Sequence, residues 1–148
     1  MKKPVAVFLD TGLSAIIGGI HQTRIGREEI GAQLVAACVQ QDGCWDVRFV
    51  RPNTIDISRI EEEIRSGPHD ALVLFPYTYT KKLADDVARK FKGNTPIIYG
   101  GYHAGVGVMS KRVLEEGLAN YVVSGRGEES LPRLLRDLAA DERPTKAI

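Results

Sequence analysis

Two short segments carry the residue types that could do chemistry here. Gly100-Gly101-Tyr102-His103 follows an apolar run that ends at Tyr99, and Ser124-Gly125-Arg126-Gly127-Glu128 follows one that ends at Val123. A third stretch, Asp10 to Ile25, holds Thr11, Gly12, Leu13, Ser14, Gly18 and Gly19. Glycines beside hydroxyls suit binding better than bond-making. They let a bulky, polar ligand lie directly on the main chain, with backbone amides and short side chains as hydrogen-bonding groups. Where such a segment opens a helix, as at Gly127-Glu128, the free amides favour anionic or acceptor groups. No nucleophile with an adjacent base is evident, so the residues do not define a stand-alone catalytic site.

The elements that must position these segments alternate strand and helix five times. Strands are expected at Pro4–Leu9, Trp45–Val50, Asp70–Phe75, Pro96–Tyr99 and Asn120–Val123. The run at Asp70–Phe75 is apolar on both faces, as a strand covered by helices on both sides should be. Helical spacing predicts helices over about Gly26–Gln41, from Ile55 or Asp56 to Gly67, and over Lys81–Phe91, Gly107–Glu116 and Glu128–Ala140. Their apolar stripes are expected at Ile30, Leu34, Val35 and Cys38 in the first, and Ile57, Ile60 and Ile64 in the second. Leu83, Ala84, Val87, Ala88 and Phe91 serve in the third, and Leu131, Leu134, Leu135 and Leu138 in the last. Asp56 or Thr54 is a suitable cap for the second helix. The polar tail, 141–148, is expected to be flexible or to begin a linker, leaving 1–140 as one domain.

Strands joined by helices make a parallel sheet with right-handed crossovers. Five such units match the α/β flavodoxin-like arrangement, strand order 2-1-3-4-5 with helices on both faces. In such a sheet ligands bind beyond the carboxyl ends of the strands, where strand order reverses. Loops 10–25, 76–80, 100–106 and 124–128 lie at that edge. They hold Gly12, Gly18, Gly19, Gly100, Gly101, Gly105, Gly107, Gly125 and Gly127, with Thr11, Ser14, Tyr77, Thr78, Thr80, His103 and Ser124. Loops 42–44, 67–69, 93–95 and 117–119, at the other edge, read as simple turns, with His69 a solvated turn residue.

Several ligand types fail on particular residues. A phosphoryl-accepting receiver needs an Asp ending the third strand, which ends in Phe75-Pro76. A flavin-phosphate loop should open the first helix directly after the first strand, and that helix starts a dozen residues too late. A dinucleotide fingerprint between the first strand and its helix is absent, and Gly125-Arg126-Gly127 alone is a fragment of one.

The pair of motifs resembles the cobalamin-binding domain of radical S-adenosylmethionine enzymes. Gly100-Gly101-Tyr102-His103 is similar to that family's Gly-Gly-x-His segment. Tyr121-Val122-Val123-Ser124-Gly125-Arg126-Gly127-Glu128 is similar to its Gly-Glu-Gly-Glu segment, with Arg126 in place of the first Glu. Ile25-Gly26 resembles the family's helix start. The resemblance covers nearly the whole chain. It implies a corrin ring over the carboxyl edge, with the nucleotide tail inserted near the third-strand loop (Tyr77, Thr78, Thr80) and close to Gly100 and Gly101. It further implies Ser124, Gly125, Gly127 and Glu128 beside the ligand, His103 ordering its own loop, and Thr11, Gly12, Leu13 or Ile25 near the lower face of cobalt.

Two departures shape the expectation. The methionine-synthase-like class carries Asp-x-His-x-x-Gly after the first strand, and its His ligates cobalt. Here the stretch is Asp10-Thr11-Gly12-Leu13-Ser14-Ala15, so no axial His is expected and His21 is at the wrong spacing. The Cys-x-x-x-Cys-x-x-Cys that holds the iron–sulfur cluster is also missing from these 148 residues, which contain two cysteines, Cys38 and Cys44. The resemblance therefore implies a module that presents cobalamin to a radical S-adenosylmethionine domain or subunit elsewhere, for methyl transfer or related radical chemistry. The alternative is a free-standing binding or sensor domain for cobalamin or a nucleotide-like ligand, without catalysis.

Composition removes other classes. The net charge is +1, with no basic excess that would point to nucleic acid. No apolar run reaches the roughly 20 residues needed to cross a bilayer. Two cysteines without a metal-ligand pattern are expected in a reducing, cytoplasmic setting.

Overall fold

A computed structural model describes residues 2–9, 22–52, 54–76, 81–101 and 107–140, with side chains in the first helix from residue 31 onward. The elements run β1 (Val5–Leu9), α1 (Gln22–Asp42), β2 (Asp46–Val50), α2 (Ile57–Arg65), β3 (Ala71–Leu74), α3 (Lys81–Phe91), β4 (Ile97–Tyr99), α4 (Gly107–Glu115), β5 (Tyr121–Val122) and α5 (Gly127–Ala139). Among the described residues they form one parallel sheet of order β2-β1-β3-β4-β5. This is the α/β flavodoxin-like fold expected from the alternation of strand and helix.

The period of two along each strand divides the core between the faces of the sheet. Val7, Leu9, Leu72, Leu74, Ile97 and Val122 point toward α2, α3 and α4, where Ile60, Ile64, Val87 and Phe91 meet them. Ala6, Phe8, Val73, Ile98 and Val123 point toward α1 and α5, against Val35, Val39, Leu131, Leu134 and Leu135. Residues 5–9 are buried throughout, because β1 is central and covered on both faces. Asp70 sits at the amino edge of β3, where its carboxylate accepts the Val5 amide at 2.8 Å and ties the start of β1 to β3.

Several boundaries differ from the sequence reading. α1 starts at Gln22 rather than Gly26, which puts the backbone of Ile25 inside the helix and shortens the preceding loop. Its buried face is also rotated: Ala32, Val35, Ala36 and Val39 are buried and Leu34 is half exposed. α1 is rich in Ala and other apolar residues on several sides, so the stripe has little contrast to reveal its phase. Asp56 caps α2 as expected, accepting the Ser58 amide at 3.0 Å. His69 is less solvated than a turn residue should be. Its Nδ1 lies 2.8 Å from the Gly67 carbonyl and its ring meets Phe91 edge-on.

Candidate functional site

The carboxyl ends of β4 and β5 bring the two glycine motifs side by side. Tyr99 is the register partner of Val122, and its carbonyl accepts the Val123 amide at 2.8 Å. Gly100 and Val123 are therefore the next residues out along neighbouring strands, with Ser124 one position further. The Gly100 amide donates to the Leu74 carbonyl at 2.9 Å, so β3 is fixed to the same rim. Of the residues expected at the site, Gly100, Gly101, Ser124, Gly125, Gly127 and Glu128 are brought together on this rim. Thr11, Gly12, Leu13, Tyr77, Thr78, Thr80 and His103, the side chain of Ile25 and the tail 141–148 lie outside what the structure describes.

The glycines on this rim are there for different reasons. Gly101 (φ 89°) and Gly125 (φ 74°) occupy the left-handed region, which a side chain would strain. Gly127 opens α5 where that helix crosses α1: a Cβ would sit 3.3 Å from Val35 Cγ2. Close helix packing thus favours glycine at 127, independent of any ligand. Gly100 has neither reason. Its backbone is not left-handed, and among the described residues a Cβ would meet only the Phe75 ring, at 3.4–3.6 Å, the near edge of ordinary contact. Among the described residues nothing bars a methyl group where the sequence has none.

Phe75 is the wall of this region on the α1/α5 face. Its ring stacks on Phe8 with centroids 5.7 Å apart, and Phe8 contacts Phe49 at 5.6 Å. This aromatic row runs across β2, β1 and the end of β3, over the reversal of strand order between β1 and β3. Phe8 is fully buried, while Phe75 is half-buried and Phe49 is partly exposed. Beyond β5, Arg126 is exposed and makes no side-chain cap for α5, whose first turn carries Glu128 and Glu129. Two carboxylates there complement the positive end of the helix.

The opposite face holds a polar group that sequence reasoning missed. The Tyr99 hydroxyl donates to Asp85 Oδ1 at 2.8 Å, and the Arg112 guanidinium reaches Asp85 Oδ2 at 3.2 Å. Arg112 also lies 3.8 Å from Glu116, while its buried Nε meets no acceptor among the described residues. Burial, followed by the bond to Asp85, pushes the Tyr99 phenol far above its usual range, so it stays a neutral donor. The sequence signal was slight: an Asp beside the apolar stripe of α3 and a hydroxyl-bearing aromatic at a strand end.

Other chemistry is limited. Among the described residues no cluster of three His, Cys, Asp or Glu side chains could hold a metal. Cys38 and Cys44 are free and half-buried. The bond to Asp42 raises the Cys44 thiol above its usual range, which disfavours a nucleophilic thiolate. Among the described residues no helix is long and apolar enough to cross a membrane.

Fold and rim together define an α/β flavodoxin-like domain with a glycine-lined carboxyl edge. No family model and no curated protein matches the chain. Among solved structures it is similar to the rubredoxin oxygen:oxidoreductase of the anaerobe Desulfovibrio gigas, at 17% identity and a TM-score of 0.48. The match covers 95% of this chain and 37% of that one, so the chain spans little more than a third of that protein's length.

Proposed function

We propose that this chain is a cobalamin-binding module that presents the cofactor to a radical S-adenosylmethionine catalytic domain or subunit, in a cytoplasmic setting. The observation that carries the reading is Gly100, a bare Cα that neither backbone conformation nor a clash among the described residues demands. Its neighbours on the rim are Gly101 and Val123, with Ser124 and Gly125 just beyond; among the described residues a Cβ at Gly125 would meet nothing within 4 Å. These residues would lie against the ligand, with Ser124 offering a hydroxyl and Phe75 a flat apolar surface beside Gly100. Cobalamin, when bound, would supply the cobalt centre for methyl transfer or related radical chemistry. The chain's own residues would bind and orient it.

The test mixes the purified chain with hydroxocobalamin, desalts it and records the visible spectrum. Retained corrin is the expected result. Gly100→Ala should fold with its thermal midpoint close to that of the parent chain and retain far less. A parent chain that emerges free of corrin overturns the reading.

A further inference from the structure

The geometry points to Tyr99, Asp85 and Arg112 as positioning residues, a buried latch that fixes the carboxyl rim of β4 and the angle of α4. The ligand-facing part of this inference rests on the cobalamin reading; the mechanical part does not. Tyr99 is the last residue of β4, immediately before Gly100, and its side chain leaves the sheet on the face opposite Phe75. Asp85 lies in the second turn of α3 and Arg112 in the second turn of α4, both helices that start at the carboxyl edge. One carboxylate therefore joins the strand that ends at the rim to the helices before and after it in the chain.

Arg112, on α4, reaches across to an Asp85 side chain on α3 that is 8% exposed. A purely apolar core would hold the same volume without a buried carboxylate, whose loss of hydration must be offset by well-placed donors. What the polar version adds is direction: the Tyr99 hydroxyl bonds Asp85 only when the end of β4 is at one height and orientation. Since Gly100 follows directly, the latch sets how its bare Cα is presented at the rim.

The test reads native-state amide exchange in the full chain. The Gly100 and Val123 amides, bonded to the Leu74 and Tyr99 carbonyls, flank the latch. The Asp46 and Asp70 amides, bonded to the Pro4 and Val5 carbonyls, report the far edge. Tyr99→Phe should speed exchange at Gly100 and Val123 by about tenfold relative to Asp46 and Asp70. Equal acceleration at all four, or none, overturns the latch. Arg112→Lys keeps the charge but loses the fork, and it should accelerate the same two amides; it decides the matter if Tyr99→Phe does not fold.

Hydroxocobalamin supplies the second arm. If the parent chain retains it, Tyr99→Phe should weaken retention by about tenfold, and unchanged retention removes the positioning role. If the parent chain does not retain it, the cobalamin reading fails and amide exchange alone decides whether the latch exists.

Discussion

At the scale of single residues, the glycines separate what the fold demands from what a ligand would. Gly127 illustrates the first kind. A methyl group there would press Val35 at 3.3 Å, so Val35 must give by a few tenths of an ångström at the contact of α1 with α5. Gly127→Ala should therefore destabilise the chain by about 1–2 kcal/mol, the cost of modest overpacking. Adding Val35→Ala should recover part of that loss, giving a favourable coupling in a double-mutant cycle. Gly31 is the control: it lies inside α1 with nothing among the described residues within 4 Å of its would-be Cβ, so Gly31→Ala should stabilise by roughly 0.5–1 kcal/mol. Urea melts of the four variants check all of this, and a stabilising Gly127→Ala would contradict the packing account. The sequence could point to the motif holding Gly127 but not separate it from Gly100. That difference depends on Val35, ninety-two positions upstream, and on Phe75, and neither proximity is written in local spacing.

At the scale of elements, basic side chains from neighbouring segments reach the carboxyl ends of three successive helices. Arg48, on β2, donates to the carbonyls of Glu63, Ile64 and Pro68 at the end of α2. Arg65, ending α2, donates to the Lys90 carbonyl of α3 and lies 4.5 Å over the Phe91 ring. Lys92, after α3, donates to the Glu116 carbonyl beyond α4. Each satisfies a carbonyl that the helix itself leaves open and meets the negative end of its dipole. Arg48→Met keeps the stem and loses the donors, so it should cost about 1.5–3 kcal/mol, the range for bonds to a charged group. A melt unchanged within error would show that water replaces the cap at no cost. Gly67 belongs to the same arrangement, since a Cβ there would lie 2.8 Å from Arg48 Cζ. The helices themselves were legible because α2, α3 and α5 place apolar residues on one side with charge opposite. The caps were not, because a surface-type Arg in a short strand carries no local mark of the helix end it will meet. The same holds for the Tyr99–Asp85–Arg112 group, assembled from three elements.

At the scale of the whole molecule, the sheet divides the core into two clusters that share no side chain but share every strand. Order 2-1-3-4-5 could be expected from five alternations, and it is the observed order. Whether the halves melt together depends on β1 and β3, whose residues alternate between the two faces, so that losing either helical layer bares strands on which the other is built. Trp45, the sole tryptophan, is buried on the α1/α5 side and its Nε1 donates to the Leu135 carbonyl, so its fluorescence reports that layer alone. Ile64 is fully buried on the other side, in α2. Ile64→Ala should cost about 2–5 kcal/mol through the cavity it leaves. It should move the Trp45 transition by the same amount as the far-ultraviolet circular dichroism, because a two-state domain has one midpoint for all probes. A Trp45 transition that stays in place while the dichroism shifts would mean that the two layers unfold separately. The latch between β4, α3 and α4 would then belong to the weaker unit, and its exchange rates would have to be read against that unit alone.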